Sequence, residues 1–273
     1  MRFYEWLTLG FYLVFAVLAW YRPLSIGRRA KATGIALGGF ACVAAAAALS
    51  RVHPVVGIVA RNWLPVLLIP MAYWQTGQFV LPLNKGWQTW LQRFDQKPLL
   101  ARICFSVRSP AHRFLNTTLE LSYLFCYPLV PFGLAVLYWT GMVRFAEEFW
   151  NIVVPPAYAC YATFPFVQTL PPRAIEDSTA WRPRQTKLRT LNLFVLRHVS
   201  IQANTFPSGH VAASLAISLE LIRLAPRAGL VFLCVAASIA AGAFIGRYHY
   251  ALDVLAGAAL AVASFLVVVA MAH

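Results

Sequence analysis

The 273-residue chain contains only three aspartates, Asp95, Asp177 and Asp253. Magnesium sites for phosphate chemistry need clustered carboxylates, and three scattered aspartates do not supply a cluster. The GxxxxGK[ST] loop and the HExxH pair are also missing, so any phosphoryl chemistry here must rest on Arg, Lys and His. Charge of either sign is scarce, at 12% of residues, where a soluble domain carries about 25%. With 60% hydrophobic residues and a mean hydropathy of +0.64, this describes an integral membrane protein. The five cysteines (Cys42, Cys104, Cys126, Cys160, Cys234) are scattered among mostly apolar neighbours with no CxxC. They read as small core or lipid-facing residues, not as a disulfide or metal framework.

The charge that is present is lopsided, with a net +14. In so apolar a chain it collects in loops, where it meets anionic head groups, phosphorylated substrates, or both. Nucleic acid is a poor partner, because the basic residues are divided among short inter-helix segments. Apolar runs predict membrane helices near 4–21, 33–50, 54–76, 117–143, 149–168, 207–224, 228–245 and 250–271. The first lacks the small-residue cleavage pattern of a signal peptide and reads as a span. The expected fold is therefore an all-α integral membrane bundle of about eight transmembrane helices. Arg61 is expected to snorkel. Glu120 is expected at the interface, since a mid-bilayer charge costs about 2.5–3.5 kcal/mol.

Residues 78–116 break the pattern. Lys85, Arg93, Lys97, Arg102, Arg108 and Arg113 alternate with aromatic and apolar residues, and positions 87, 90, 91 and 94 fall at helical spacing. That favours an amphipathic segment lying in the interface. Residues 169–206 form the main polar loop. In the eight-span arrangement this loop opens on the same side as the 246–250 turn.

Two motifs stand at those openings. In Thr205-Phe206-Pro207-Ser208-Gly209-His210, a polar loop passes into an apolar run. Pro207 suits a first helical turn, Thr205 or Ser208 suits a cap, and Gly209 admits close backbone approach. Such a helix start attracts phosphate, and His210 is able to carry a proton near neutral pH. Taken alone, the hexapeptide reads equally well as a helix cap with an incidental histidine. The second motif runs from Gly246 to Asp253. It sets His249 and Asp253 at i and i+4, so the carboxylate can fix the imidazole's tautomer and raise its basicity.

Pro207-Ser208-Gly209-His210, followed by His249-x-x-x-Asp253 and Val254-Leu255-Ala256-Gly257, resembles the type 2 phosphatidic acid phosphatase superfamily. The resemblance covers roughly residues 118–271. It implies a six-helix phosphatase-type core within 54–273, with 1–53 as additional N-terminal helices. It also implies His249 as the nucleophile forming a phosphohistidine, Asp253 as its orienting partner and His210 as the acid for the leaving alcohol. Ser208 and Gly209 would hold phosphate oxygens, and neither a metal nor another cofactor is expected. The first motif, KxxxxxxRP, ends well at Arg182-Pro183, but Ile175 stands where its lysine belongs. Thr169-Leu170-Pro171-Pro172-Arg173 is instead similar to the inositol phosphorylceramide synthase-like branch, which makes Arg173 the first phosphate cation and Arg182 the second. In the third motif Ala243 replaces an arginine, and Arg247 is the candidate substitute.

The function these readings imply is a metal-independent phosphatase or phosphotransferase. Its substrate is a lipid phosphate or polyprenyl (di)phosphate, and its surroundings are membrane lipids, with the cell (inner) membrane as the expected location. The alternatives are a head-group phosphotransferase and a non-catalytic phospholipid-binding or transport protein on the same scaffold. The resemblance implies a site facing the periplasm or a lumen. The basic clusters at 22–31 and 85–113 fall on the site's side, which by the positive-inside rule makes that side cytoplasmic.

Overall fold

A computed structural model describes residues 1–108, 112–175, 185–204 and 206–271. Among these residues the chain is helical, with no strand beyond an isolated bridge between Thr169 and Asn204. The helices are α1 (Phe3–Tyr21), α2 (Ile26–Val52), α3 (Pro54–Thr76), α4 (Lys85–Asp95), α5 (Pro98–Arg108), α6 (Arg113–Leu124) and α7 (Cys126–Trp139). They continue as α8 (Ala146–Ala162), α9 (Pro172–Ile175), α10 (Lys187–Val199), α11 (Gly209–Leu224), α12 (Pro226–Ile245) and α13 (Ala251–Met271).

Local chemistry sets many of these boundaries. Pro54 and Pro226 open α3 and α12, where a missing N–H costs nothing. Asn84 and Thr186 cap α4 and α10 by accepting from the Trp87 and Arg189 amides at 3.0 and 3.1 Å. The expected Thr205 cap lies outside the described residues. Pro128 cannot donate to the Leu124 carbonyl, and the run expected as one span over 117–143 is broken there. It forms α6 and α7, bent by 65°.

Five helices (α1, α2, α3, α12, α13) are long and apolar enough to cross a membrane, or six if α6–α7 count as one broken span. The other two apolar runs form α8, of 17 residues, and α11, of 16. Both lie at the centre of the bundle. Trp150, Ile152, Val153 and Val154 of α8 and Ala216, Ile217 and Leu221 of α11 are fully buried. A helix wrapped by other helices does not have to match the bilayer's apolar thickness, which explains why the eight-span expectation exceeds the five or six that length supports.

The main apolar core is continuous from Tyr4, Tyr12 and Phe15 of α1 through α3 and α8 to Ala261 of α13. Packing therefore does not stop at residue 53. Phe11 of α1 lies 4.5 Å from Tyr158 of α8 between ring centroids. Arg61 does not snorkel: its Nε and Nη2 each lie 2.6 Å from Glu5, which is 1% exposed. The α1–α2 turn is tied to the site-bearing end of the bundle, because Arg22 donates to Pro165 O and Arg28 to Gln78 O.

Candidate active site

The two motifs meet at one end of the bundle. His210, on the first turn of α11, and His249, in the turn between α12 and α13, have ring centroids 6.0 Å apart at an interplanar angle of 77°. His249 Nδ1 lies 3.2 Å from Asp253 Oδ2, which also accepts from the Tyr250 amide at 2.9 Å. Asp253 is wholly buried, so the carboxylate is directed at the ring and the turn and not at water. Burial, and then the charge of Arg173, push the His249 imidazole down to about 3. At neutral pH the ring is thus neutral, with Nδ1–H donating to Asp253 and Nε2 on the side away from it.

Ser208 is the N-cap of α11, but its hydroxyl makes no capping bond and has no partner among the described residues. The first amides of a helix have no intrahelical acceptor, so this end of α11 presents donors and a positive dipole. The Ser208 amide donates to Asp253 O at 2.9 Å, which fastens the start of α11 to α13. Gly257 permits that approach, since a Cβ there would stand 2.5 Å from Ser208 O. Gly209 is also required to be small, as a Cβ would meet Tyr161 Cε1 at 2.8 Å.

Both histidines line a cavity of about 290 Å³ together with Arg173, Gly209 and Tyr248. Arg173 is half-buried. Its amide donates to Arg247 O at 3.1 Å, its Nη1 to Tyr248 O at 3.3 Å, and its guanidinium sits over the Tyr248 ring. Five tyrosines that the sequence reading did not single out as a group (Tyr73, Tyr123, Tyr127, Tyr161, Tyr248) wall the cavity. Tyr123 stacks on Tyr248 at 4.0 Å, and Tyr123 and Tyr127 present edges to His210. Below them the walls turn apolar, with Val66, Ile69 and Pro70 of α3 facing Val130 and Pro131 of α7.

Four expectations need restating. Arg247 does not line the cavity: it is 1% exposed, and its Nη1 lies 2.6 Å from Asp95 Oδ2. Two residues ahead of His249, a left-handed backbone (φ +59°) directs this turn. Ser208, expected at the phosphate, is buried beside the cavity and is not among its lining residues. Glu120, expected to be placed by contact with the interface, is instead 8% exposed within the protein, accepting from Arg189 Nη1 at 2.9 Å, Asn192 Nδ2 at 2.6 Å and Tyr248 Oη at 2.6 Å. Three donors satisfy the carboxylate, which removes the reason to seek water. Arg182 lies outside the described residues. Among the described residues, no three His, Cys, Asp or Glu side chains come together as a metal site would need.

The fold and cavity define a multi-pass helical membrane protein with a histidine–arginine pocket at one end. Residues 89–267 match the PAP2 superfamily, and the chain belongs to this type 2 phosphatidic acid phosphatase superfamily. Membership points to phosphatase or phosphotransferase activity on phosphate esters. Neither curated proteins nor solved structures give a match.

Proposed function

We propose that the chain is a lipid phosphate phosphatase or phosphotransferase that works through a phosphohistidine on His249 without a metal. The observation that carries this reading is the pairing of His249, backed by Asp253, with His210 across a cavity that holds Arg173. His249 Nε2 attacks phosphorus, a P–N bond forms, and the P–O ester bond breaks. His210 takes up a proton as the negatively charged phosphate enters beside it, and passes that proton to the leaving alkoxide. Water, or an alcohol acceptor, then gives a proton back to His210 as its oxygen attacks, the P–N bond breaks, and His249 returns neutral. Arg173 and the amides at the start of α11 stabilise charge on the equatorial oxygens. The apolar walls contributed by α3 and α7 suit an acyl or prenyl chain on the phosphate.

Arg22, Arg28 and the exposed Arg93 and Lys97 lie at the site's end of the bundle. By the positive-inside rule they support a site that faces the cytoplasm. The test uses protein purified in mixed micelles and supplied with phosphatidic acid or a polyprenyl diphosphate, with and without EDTA. Phosphate release that EDTA leaves unchanged, together with acid-labile label trapped on wild type but not on His249→Ala, is the expected result. Binding of these lipids without turnover would support the transport reading instead. A cysteine introduced at Gln185 is expected to react with a permeant reagent but not with an impermeant one added to intact cells.

A further inference from the structure

The three segments that bring Arg173, His210 and His249 to the cavity, namely Leu170–Arg173, the Phe206–His210 stretch and the Arg247–Ala251 turn, are far apart in sequence and all touch one short helix outside the site. That helix is α4. Gln88 Oε1 accepts from the Leu170 amide at 2.7 Å, while its Nε2 reaches Leu170 O and the Tyr250 hydroxyl. Trp87 packs on Phe206, two residues ahead of Ser208, with ring centroids 5.2 Å apart. Asp95 is 1% exposed and divides its two oxygens between the ends of the histidine turn. Oδ2 pairs with Arg247 at 2.6 Å, and Oδ1 accepts from the Ala251 amide, the first of α13, at 2.9 Å.

Gln88, Leu91 and Asp95 recur at i, i+3 and i+7, on one face of α4, and this face is turned inward. Trp90, Arg93 and Lys97 remain exposed on the other side. A carboxylate that has lost water and holds both a guanidinium and a helix-start amide fixes the path of the three residues between them. His249 is the middle one. This chain has Ile175 and Ala243 where the resembled motifs place cations, and α4 supplies a different support for the turn.

We infer that α4 is the positioning element of the phosphate site, with Asp95 holding the turn that aims His249 and Gln88 holding the loop that carries Arg173. This inference rests on the reading of His249 as the nucleophile. Neither Asp95 nor Gln88 lines the cavity, so their loss changes the placement of the reacting groups and not the binding surface. Misplacement by about 1 Å from outside the chemistry costs on the order of 100-fold in rate.

The test measures kcat and KM for lipid phosphate hydrolysis, the rate of phosphohistidine formation, and the thermal midpoint, in Asp95→Asn and Gln88→Ala. For Asp95→Asn the expected result is a kcat lower by about 30- to 100-fold with KM within about threefold. Phosphohistidine formation should slow in step with kcat. For Gln88→Ala a smaller fall in kcat, about 5- to 10-fold, with KM again preserved, is expected. Wild-type kcat in both variants would overturn the inference, as would a loss that tracks the thermal midpoint and raises KM equally. If Asp95→Asn does not fold, Gln88→Ala decides alone, because that side chain is half-exposed. A failure of the underlying reading looks different: His249→Ala would then keep turning over, whatever Asp95→Asn does.

Discussion

The two ends of the bundle use the same chemistry for opposite purposes. At the end away from the site, Glu5 is enclosed by Arg61 at 2.6 Å and the Arg2 amide at 2.8 Å. Arg2 Nη1 is 2.6 Å from Asn62 Oδ1, and Asn62 O receives the Trp150 indole at 2.7 Å. Arg223 similarly joins Glu148 and Glu220. Arg2, Arg61 and Arg223 each have a carboxylate partner, so the cluster is a fastener. At the site end the carboxylates Asp95 and Glu120 bind Arg247 and Arg189 in the same manner. One further cation, Arg173, is held by backbone carbonyl and a tyrosine ring and faces a cavity. A buried guanidinium beside a carboxylate is structural. One held only by neutral groups keeps its charge available to a ligand.

Substitutions at the two ends should therefore separate activity from stability. The largest effect belongs to His249→Ala. Removing a covalent nucleophile costs about 10⁴-fold or more, and steady-state phosphate release should fall by that factor with a nearly unchanged thermal midpoint. Arg173→Ala should lower kcat/KM by about 10²- to 10³-fold, the range for a donor that stabilises developing charge, again in a folded protein. The contrasting substitution is Arg61→Ala. It leaves Glu5 buried without its bidentate partner and should cost about 3–5 kcal/mol in denaturant unfolding, while the protein that stays folded retains its turnover. Equal loss of activity in Arg61→Ala and Arg173→Ala would erase the distinction drawn between the ends.

Gly257→Ala tests the close approach of α13 to Ser208. Relief of a 2.5 Å clash must move the start of α11, and a fall in kcat of about 10- to 100-fold is expected. The smallest effect is a pH response. Burial pushes the Asp95 carboxyl from its ordinary 3.8 up to about 6 and the Asp253 charge adds to this, while Arg247 and the Ala251 amide oppose it. The folded protein then binds this proton more tightly than the unfolded chain does. Asp95's contribution to stability accordingly falls as pH rises from about 4 to about 6. Protonation also releases Arg247. Below pH about 6 the wild type should melt no earlier yet lose kcat several-fold, and a kcat profile flat down to pH 5 would count against Asp95 as the holder of the turn.

Much of this was legible in the residues. The apolar runs yielded the helices because a bilayer enforces length and hydropathy. His210, His249 and Asp253 were legible because their spacing to helix starts is local. Arg173 was legible through the Pro-Pro-Arg segment. Arg247 was assigned to the wrong partner, since its proximity to His249 in sequence hides a side chain turned toward Asp95, 152 residues away. The scarcity of aspartate was the available signal for that partner. One of only three aspartates, placed on the same face of an amphipathic helix as Leu91, required a buried cation.

By itself, the sequence determined a helical membrane protein, the family, and the histidine pair with its carboxylate, because these depend on composition and on separations of a few residues. Only the tertiary structure decided which arginines are spent on Asp95, Glu120 and Glu5 and which, among the described residues, faces the cavity. Every arginine has the same charge in a sequence. What distinguishes them is the partner within about 3 Å, and that partner comes from a distant helix.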